Sequence, residues 1–364
     1  MLLDDLSFTD EAHFKERTSR ALPQPGDLII TREAPMGEVC IIPGGLECCL
    51  GQRMVLIKPD LGKVDSQYLL YAMMSEYAQA QIGKSDGTGS IVSNLRIPLL
   101  KELLIPYKEL AEQREIAGVL DAIDKKVELN DKISAELEAM AKLIYDYWFV
   151  QFDFPDANGK PYKSSGGKMV YNETLKREIP DGWVVEPLSL KLDIYDSIRI
   201  PMSGKERDEK QGIYPYYGAT GIMDFVDDYI FDDDYILLAE DGSVMNEEGM
   251  PIVQFVWGKT WVNNHAHVLQ AKNKSHNEFY FQLLKRIPVV SIKTGSIQMK
   301  INQANLMSYV VAIPSSDLID KYSKFANYAR GKLVNSIEET NKLAELRDWL
   351  LPMLMNGQVT VNSS

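Results

Sequence analysis

Cysteine is scarce in this chain, and the three present, Cys40, Cys48 and Cys49, have neither an even count nor C-x-x-C spacing. A disulfide framework or a structural zinc site is therefore not expected, and the thiols read as buried or half-buried. No apolar run approaches the roughly 18 residues a membrane helix needs, and the start MLLDDLSFTDEAHFKER has acids where a secretion signal would be basic. The expected location is the cytoplasm, without a membrane partner. Signatures of catalysis are missing too: there is no P-loop string, no Gly-rich cofactor loop after a strand and no Asn/Asp-Pro-Pro-aromatic motif. The Pro-Asp pairs Pro59-Asp60, Pro155-Asp156 and Pro180-Asp181 lack the Glu-x-Lys that a common metal-dependent nuclease would add. No catalytic residue, metal or cofactor is assigned, and an enzyme is not expected.

Positive charge is also short, with 39 Lys and Arg against 52 Asp and Glu for a net of -13. Nucleic-acid binding needs clustered cations, so their distribution decides more than the total. Residues 222–248 hold ten acids and no Lys or Arg, whereas 271–303 hold Lys272, Lys274, Lys285, Arg286, Lys293 and Lys300 against Glu278 alone. A basic face on an acidic body is the expectation, one able to meet DNA while the rest stays solvated or meets proteins.

What is present is a repeat. At 364 residues the length favours two or three domains, and the chain runs through one plan twice. GDLIITREAPMG (26–37) answers DDYILLAEDGSV (233–244), and LGQRMVLIKP (50–59) answers VNNHAHVLQA (262–271). The short aromatic helices SQYLLYAMM (66–74) and NEFYFQLLK (277–285) follow. GTGSIVSNL (87–95) and TGSIQMKINQANL (294–306) share T-G-S-I, with Thr88 and Thr294 offset by 206 residues. Each copy then has an apolar strand ending in Ile-Pro, LLIPYKEL (103–110) and VAIPSSDL (311–318), after which a long helix is expected.

Both helices carry heptads. In the first, Ile116, Leu120, Ile123, Val127, Asn130, Ser134, Leu137, Ala141, Ile144 and Trp148 alternate by four and three. In the second, Ile319, Tyr322, Ala326, Ala329, Leu333, Ser336, Thr340, Leu343 and Leu350 do so, with Arg347 a break. A helix of about 38 residues is on the order of 57 Å long, enough to act as a strut. Antiparallel pairing would relate the repeats by a pseudo-twofold axis, and Asn130 at the seam would fix register, unless it is only a solvated Asn on a loose helix. QFDFPDANGKPYKSSGGKM (151–169) reads as loop or linker. The first copy has about twenty-six residues before GDLIITREAPMG and the second about fifty before DDYILLAEDGSV, so the first domain is expected to lack its opening strands.

Three further features have two readings each. His265 and His267 lie two apart on a strand, hence on one face, either as a metal pair or in a structural or DNA-facing role. The acids Asp232 to Asp234 form either a cation site or a solvated partner face. Tyr214, Tyr216 and Tyr217 either stack on or contact nucleic acid, or belong to the core.

IPYKELAEQREIAGVLDAIDKKVELNDKI, with Glu112-Gln113 at the helix start, resembles the central region of type I restriction-modification specificity subunits. So do GTGS and TGSIQ, GDLII, YPYYGATGI and the terminal LRDWLLPMLMNG, in order over nearly the whole chain. The chain departs from that pattern in its short front and in Leu318-Ile319 replacing the second Glu-Gln. The resemblance implies an α+β protein in which two β-rich target-recognition domains are separated by two long antiparallel coiled-coil helices. It places the first domain at 1–106, a helix at 107–150, a linker at 151–180, the second domain at 181–316, the distal helix at 317–352 and a tail at 353–364. Its implied partners are double-stranded DNA, methylating subunits and, through them, the restriction subunit. Arg199, Lys205, Arg207, Tyr217, Lys293, Ser296, Gln298 and Lys300 of the second copy, with Arg32, Lys84, Thr88 and Ser90 of the first, are the expected DNA contacts. Glu112, Gln113, Leu120, Val127 and Asn130 are the expected partner contacts. The competing expectation is a coiled-coil regulatory or scaffold protein that binds proteins without reading DNA.

Overall fold

The computed structural model describes residues 6–84, 94–295 and 299–361, and the chain divides into a first unit, Met1–Ile133 with Asn335–Ser364, and a second, Ser134–Val334. In the first unit, helix α1 (Glu11–Thr18) precedes strands β1 (Leu28–Thr31), β2 (Val39–Ile41) and β3 (Met54–Ile57). These form an antiparallel sheet in the order β2-β1-β3. Leu28, Ile29 and Ile30 are all buried, as an uninterrupted apolar run in a central strand should be. Helices α2 (Ser66–Met74), α3 (Glu76–Lys84) and α4 (Ile97–Lys101) follow. Asp65 caps α2 by accepting from the amides of Gln67 and Tyr68, as the Asp before an apolar helical run predicts.

Helix α5 (Leu110–Tyr145) begins after Ile105-Pro106 and helix α9 (Ser316–Met355) after Ile313-Pro314. Within the first unit they pair antiparallel. Ile116 and Leu120 pack in one core with Leu354 and Met355, Asp124 accepts from Arg347 at 3.0 Å, and Asn130 donates to Glu339 at 2.9 Å. Every heptad position of α5 is buried or half-buried. Arg347, which interrupts the apolar pattern, is tolerated because Asp124 meets it across the seam. Asn130 is buried and matched to one partner, the arrangement that holds a coiled-coil register at some cost in stability. α9 runs past the sequence boundary at residue 352, and Leu354 and Met355 belong to the core rather than to a tail.

The second unit contains the other ends of α5 and α9, also antiparallel. The Tyr322 hydroxyl donates to the Ala141 carbonyl at 3.2 Å, and Arg330 faces Glu138 at 3.7 Å. After α5, a π-helical turn at Asp146–Val150 swings Phe149 into an aromatic cluster with Tyr145, Phe279 and Tyr322. Residues 151–180, read as linker, are tied down. Asp153 accepts from the Ser164 amide and hydroxyl, Phe154 stacks on Tyr162 at 4.6 Å, and β4 (Met169–Asn172) pairs with β5 (Arg177–Pro180). Gly, Pro and Ser here set tight turns between docked aromatic rings, which composition alone does not separate from a flexible tether.

Next come β6 (Val184–Pro187), β7 (Leu192–Ile194), α6 (Gly204–Glu209), β8 (Gln211–Tyr217), β9 (Ile222–Val226), β10 (Phe231–Asp232), β11 (Tyr235–Ala239), β12 (Val253–Val256), β13 (Lys259–Val262) and β14 (Ala266–Ala271). α7 (Asn277–Leu284), β15 (Lys293–Thr294), β16 (Lys300–Ile301), α8 (Gln303–Ser308) and β17 (Val310–Ile313) lead to α9. One sheet has the order β12-β11-β14-β7, and the other β10-β13-β8-β9, in which β13 and β8 are parallel. The register of β8 on β9 shifts at Gly212, where a Cβ would lie 2.4 Å from the Val226 carbonyl, so this bulge requires glycine.

The repeat appears as matched pairing. β11 lies between β12 and β14 as β1 lies between β2 and β3, with Leu238 opposite His267 where Ile30 is opposite Val55. β7 adds to β14 and β6 to β17. Among the described residues of the first unit no strand takes either place. The segment around Leu103–Ile105, expected as a strand, is irregular there because a strand needs a neighbour to receive its hydrogen bonds.

Candidate nucleic-acid interface

In the second unit the acidic and basic stretches face each other. β11 and β14 lie side by side, and their ends bring carboxylates onto cations: Lys274 pairs with Asp233, and Lys300 with Asp241 at 3.1 Å. Arg286 is taken by Asp146 at 2.6 Å, and Lys272 donates to the Ser189 carbonyl. Lys285 is exposed, its ammonium 4.9 Å from the centroid of the Phe281 ring, and desolvation there pushes its pKa down. Three of the six cations of the expected basic face over 271–303 are thus paired with carboxylates, because counting charge along the chain ignores which strands become neighbours. Among the described residues, Lys293 alone of the six makes neither a carboxylate pair nor a ring or carbonyl contact; its ammonium lies 4.0 Å from the Met299 sulfur.

The other expected DNA contacts separate into two kinds. Arg199 is 11% exposed, and its guanidinium meets Glu240 at 2.8 Å, Asp196 at 3.4 Å and the Ala266 carbonyl at 2.6 Å. Arg207 is held by Asp224 at 3.1 Å and by the Met202 carbonyl, with its plane over Tyr216. Arg32 donates from Nε to the Leu95 carbonyl and from its terminal nitrogen to Asn94, each at 3.0 Å. Tyr217 is half-buried in β8, where burial pushes its hydroxyl pKa up. These four brace the fold, and a phosphate would have to displace their present partners. Lys205 and Lys84 are exposed. Thr88, Ser90, Ser296 and Gln298 lie outside the described residues.

A cluster of which the sequence reading singled out only Tyr214 and Tyr216 lies on one face of the β10-β13-β8-β9 sheet. Tyr216, Trp261 and Val226 form its buried centre, with Tyr214 packed against it. Lys259 lies 4.5 Å from the centroid of the Tyr229 ring, and Lys210 5.9 Å from that of Trp261. Both lysines are exposed, as is Lys205 on α6. Cations seated on aromatic rings keep their ammonium groups in solvent while their stems are held, which suits phosphate contacts. The signal available in sequence was weak: Lys259 stands two residues before Trp261 on one strand face, but Tyr229 and Lys210 reach the same cluster only through the fold.

Asp196, Glu240 and His267 bring ligand atoms within 4.8 Å of one another, a metal-like spacing. The Arg199 guanidinium already supplies positive charge against both carboxylates, and both ring nitrogens of His267 have partners. The cluster is therefore an ionic network. His265, the other half of the expected pair, turns instead to Asp241. Burial pushes the Asp241 carboxyl up, but His265 and Lys300 outweigh it and hold it below the ordinary range. Arg199→Met is expected to cost about 3 kcal/mol of stability, since it leaves two part-buried carboxylates short of a cation. A thermal melt checks this; an unchanged melting temperature would return Arg199 to the set of surface contacts.

The expected partner residues are similarly divided. Gln113 is buried and saturated, accepting from the Asp65 amide and donating to the Lys63 and Lys108 carbonyls. Leu120 is fully buried, Asn130 is buried at the seam and Val127 is half-buried. Glu112 is more accessible and pairs with Lys108 at 2.9 Å. In the second helix Leu318 and Ile319 are buried in the core, so apolar packing replaces the Gln113 hydrogen bonds. The outward apolar residues are others: Leu129 (51% exposed) and Ile133 (38%) in the first unit, and Met140 (48%) and Leu143 (66%) in the second. They fall outside the heptad seam, which is why a search for that seam passes over them.

A family model described as the type I restriction modification DNA specificity domain matches residues 9–139 and 180–321. The type I restriction enzyme MjaIX specificity subunit of Methanocaldococcus jannaschii is 28% identical over 96% of this chain and 81% of its own length. A putative type I restriction enzyme specificity subunit of Haemophilus influenzae, S.HindORF215P, is 30% identical over 50% of this chain and 54% of its own. Among solved structures, the S subunit of a type I restriction-modification system from M. genitalium superposes with a TM-score of 0.62 at 19% identity. It covers 94% of this chain and 84% of that one, a likeness of fold. No helix of the described residues is long and apolar enough to cross a membrane.

Proposed function

The chain belongs to the type I restriction-modification DNA specificity family, a non-catalytic class that recognises DNA sequence, and on that premise we propose that it directs methylation and restriction to a two-part DNA site. The first recognition domain spans 1–106 and the second 181–316, while helices 107–150 and 317–352 gather the methylating subunits and, through them, the restriction subunit. In the second domain phosphate is met by Lys205, Lys210, Lys259 and Lys293, and bases are read from the T-G-S-I-Q segment. The outward apolar residues Leu129 and Ile133, and Met140 and Leu143, are the docking points for the methylating subunits.

The observation that carries this reading is the common docking of the residue seven positions after the string's threonine in each copy, Leu95 and Ile301. The Leu95 amide donates to the Arg32 carbonyl at 2.9 Å, and the Ile301 amide, 206 residues on, donates to the Glu240 carbonyl at 2.9 Å. Two units that fasten the chain at the same point after a shared string suit two half-sites, as dimer symmetry suits paired half-sites. A retention assay of the full chain with its methylating subunits on duplex DNA, at low and high salt, tests it. Sequence-selective retention that weakens with salt is expected. Assembly without retention on any duplex would favour the protein-binding scaffold.

A further inference from the structure

The matched residues Leu95 and Ile301, which follow the T-G-S-I string in each unit, are each held by a second bond, and the donor differs. In the first unit the Leu95 carbonyl accepts from Nε of Arg32 at 3.0 Å. In the second, the equivalent Ile301 carbonyl faces Nε2 of His267 at 2.7 Å. The position matching His267 is Val55 and the position matching Arg32 is Glu240, so each copy supplies a side-chain donor to the same carbonyl from a different strand.

The surroundings of His267 fix its protonation. A carbonyl only accepts, so Nε2 must carry a proton. Nδ1 faces a carboxylate oxygen of Asp196 at 2.6 Å and lies 3.7 Å from Glu240. The Arg199 guanidinium lies 3.4 Å from that same oxygen, and the Val268 amide donates to the other at 3.0 Å. A carboxylate with donors at both oxygens accepts from Nδ1 too, so both ring nitrogens donate and the ring is a cation. Its side chain is 2% exposed, and water does not satisfy it instead.

We propose that His267, as an imidazolium gripped between Asp196 and the Ile301 carbonyl, is the positioning residue that anchors the chain at Ile301, just past the second T-G-S-I-Q segment, the counterpart of Arg32 in the first unit. The proposal rests on the reading of that segment as DNA-facing. The charged groups around the ring are Asp196 and Arg199 from the turn after β7, and Glu240 at the end of β11. Next to Glu240, Asp241 holds Lys300 and His265. Burial pushes the His267 pKa down, but the hydrogen bond and charge of Asp196, the Ile301 carbonyl and the charge of Glu240 outweigh it and hold it above 6.5. A raised folded-state pKa means the grip is complete below the unfolded value and is lost as pH rises through the folded one. The Arg32 clamp has no such dependence, because a guanidinium stays charged.

The chain has four histidines, so selective 15N labelling gives a short spectrum in which His267→Gln identifies the resonances of His267. The expected result is an imidazolium pattern, both ring nitrogens protonated, persisting above the midpoint of the exposed histidines. Asp196→Asn, which keeps an acceptor for the Val268 amide, should lower that midpoint. A neutral His267 at about pH 6 would overturn the proposal. Limited trypsin cleavage after Lys293 and Lys300 should be on the order of tenfold faster in His267→Gln at about pH 6, and should approach the wild-type rate at about pH 9. Equal rates at both pH values would also overturn it. Neither readout uses DNA, so they stand apart from the retention assay. With duplex added, His267→Gln should remove the pH dependence of second half-site affinity and leave the first half-site unchanged.

Discussion

Leu120→Asp is expected to unfold the first unit, whereas Leu129→Asp with Ile133→Asp is expected to leave the fold intact and abolish capture of methylating subunits. Leu120 is fully buried among Tyr68, Tyr71, Ile116 and Leu354, and Arg347, which reaches Asp124 one turn along α5, is already paired, so a buried charge without its own partner costs several kcal/mol. Loss of assembly in that variant would report folding alone. Leu129 and Ile133 are half-exposed on the outer side of α5, and charging them costs the free chain little. Desolvating two carboxylates in an interface would instead weaken binding by roughly 3–5 kcal/mol or more. A thermal melt beside a pull-down separates the two effects. Full capture by the double variant at an unchanged melting temperature would move the docking surface elsewhere.

Lys205→Gln, Lys210→Gln and Lys259→Gln together are expected to weaken binding to every duplex sequence alike. The slope of log affinity against log salt should become shallower by about 0.9 for each phosphate that is no longer neutralised, and affinity at low salt should fall on the order of a hundredfold. Glutamine keeps most of the Lys210 and Lys259 stems on the aromatic faces of Trp261, Tyr214 and Tyr229, and Lys205 is exposed, so the sheet should remain folded. A salt titration of retained DNA measures the change. An unaltered slope would mean that this face of the sheet does not meet the phosphates.

The repeat was legible because T-G-S-I and the Ile-Pro strand ends keep their spacing across two copies, and periodicity survives translation into structure directly. The heptads were legible for the same reason: every heptad position from Ile116 to Trp148 is buried or half-buried. Charge was not legible in that way. Arg32, Arg199 and Arg207 read as free cations in a string, but each found an acceptor that strand pairing or a turn carried to it from up to 67 positions away. Lys274 and Lys300 were taken by acids that the sequence places in a separate block. His267 looked like half of a histidine pair because alternation puts it on the same side as His265, yet the two rings turn to different carboxylates. Buried Gln113 is another case, a polar residue at a family motif, two of whose three hydrogen bonds join a helix start to the loop before α2.

Selection of bound duplexes from a random-sequence pool, using the full chain assembled with its methylating subunits, tests the central claim most directly. Two short conserved blocks separated by a spacer of fixed length are expected, with the block read by residues 181–316 lost when that segment is exchanged for the corresponding segment of a relative. A pool that emerges with no preferred sequence, or with a block that survives the exchange, would contradict the assignment of sequence reading to this chain.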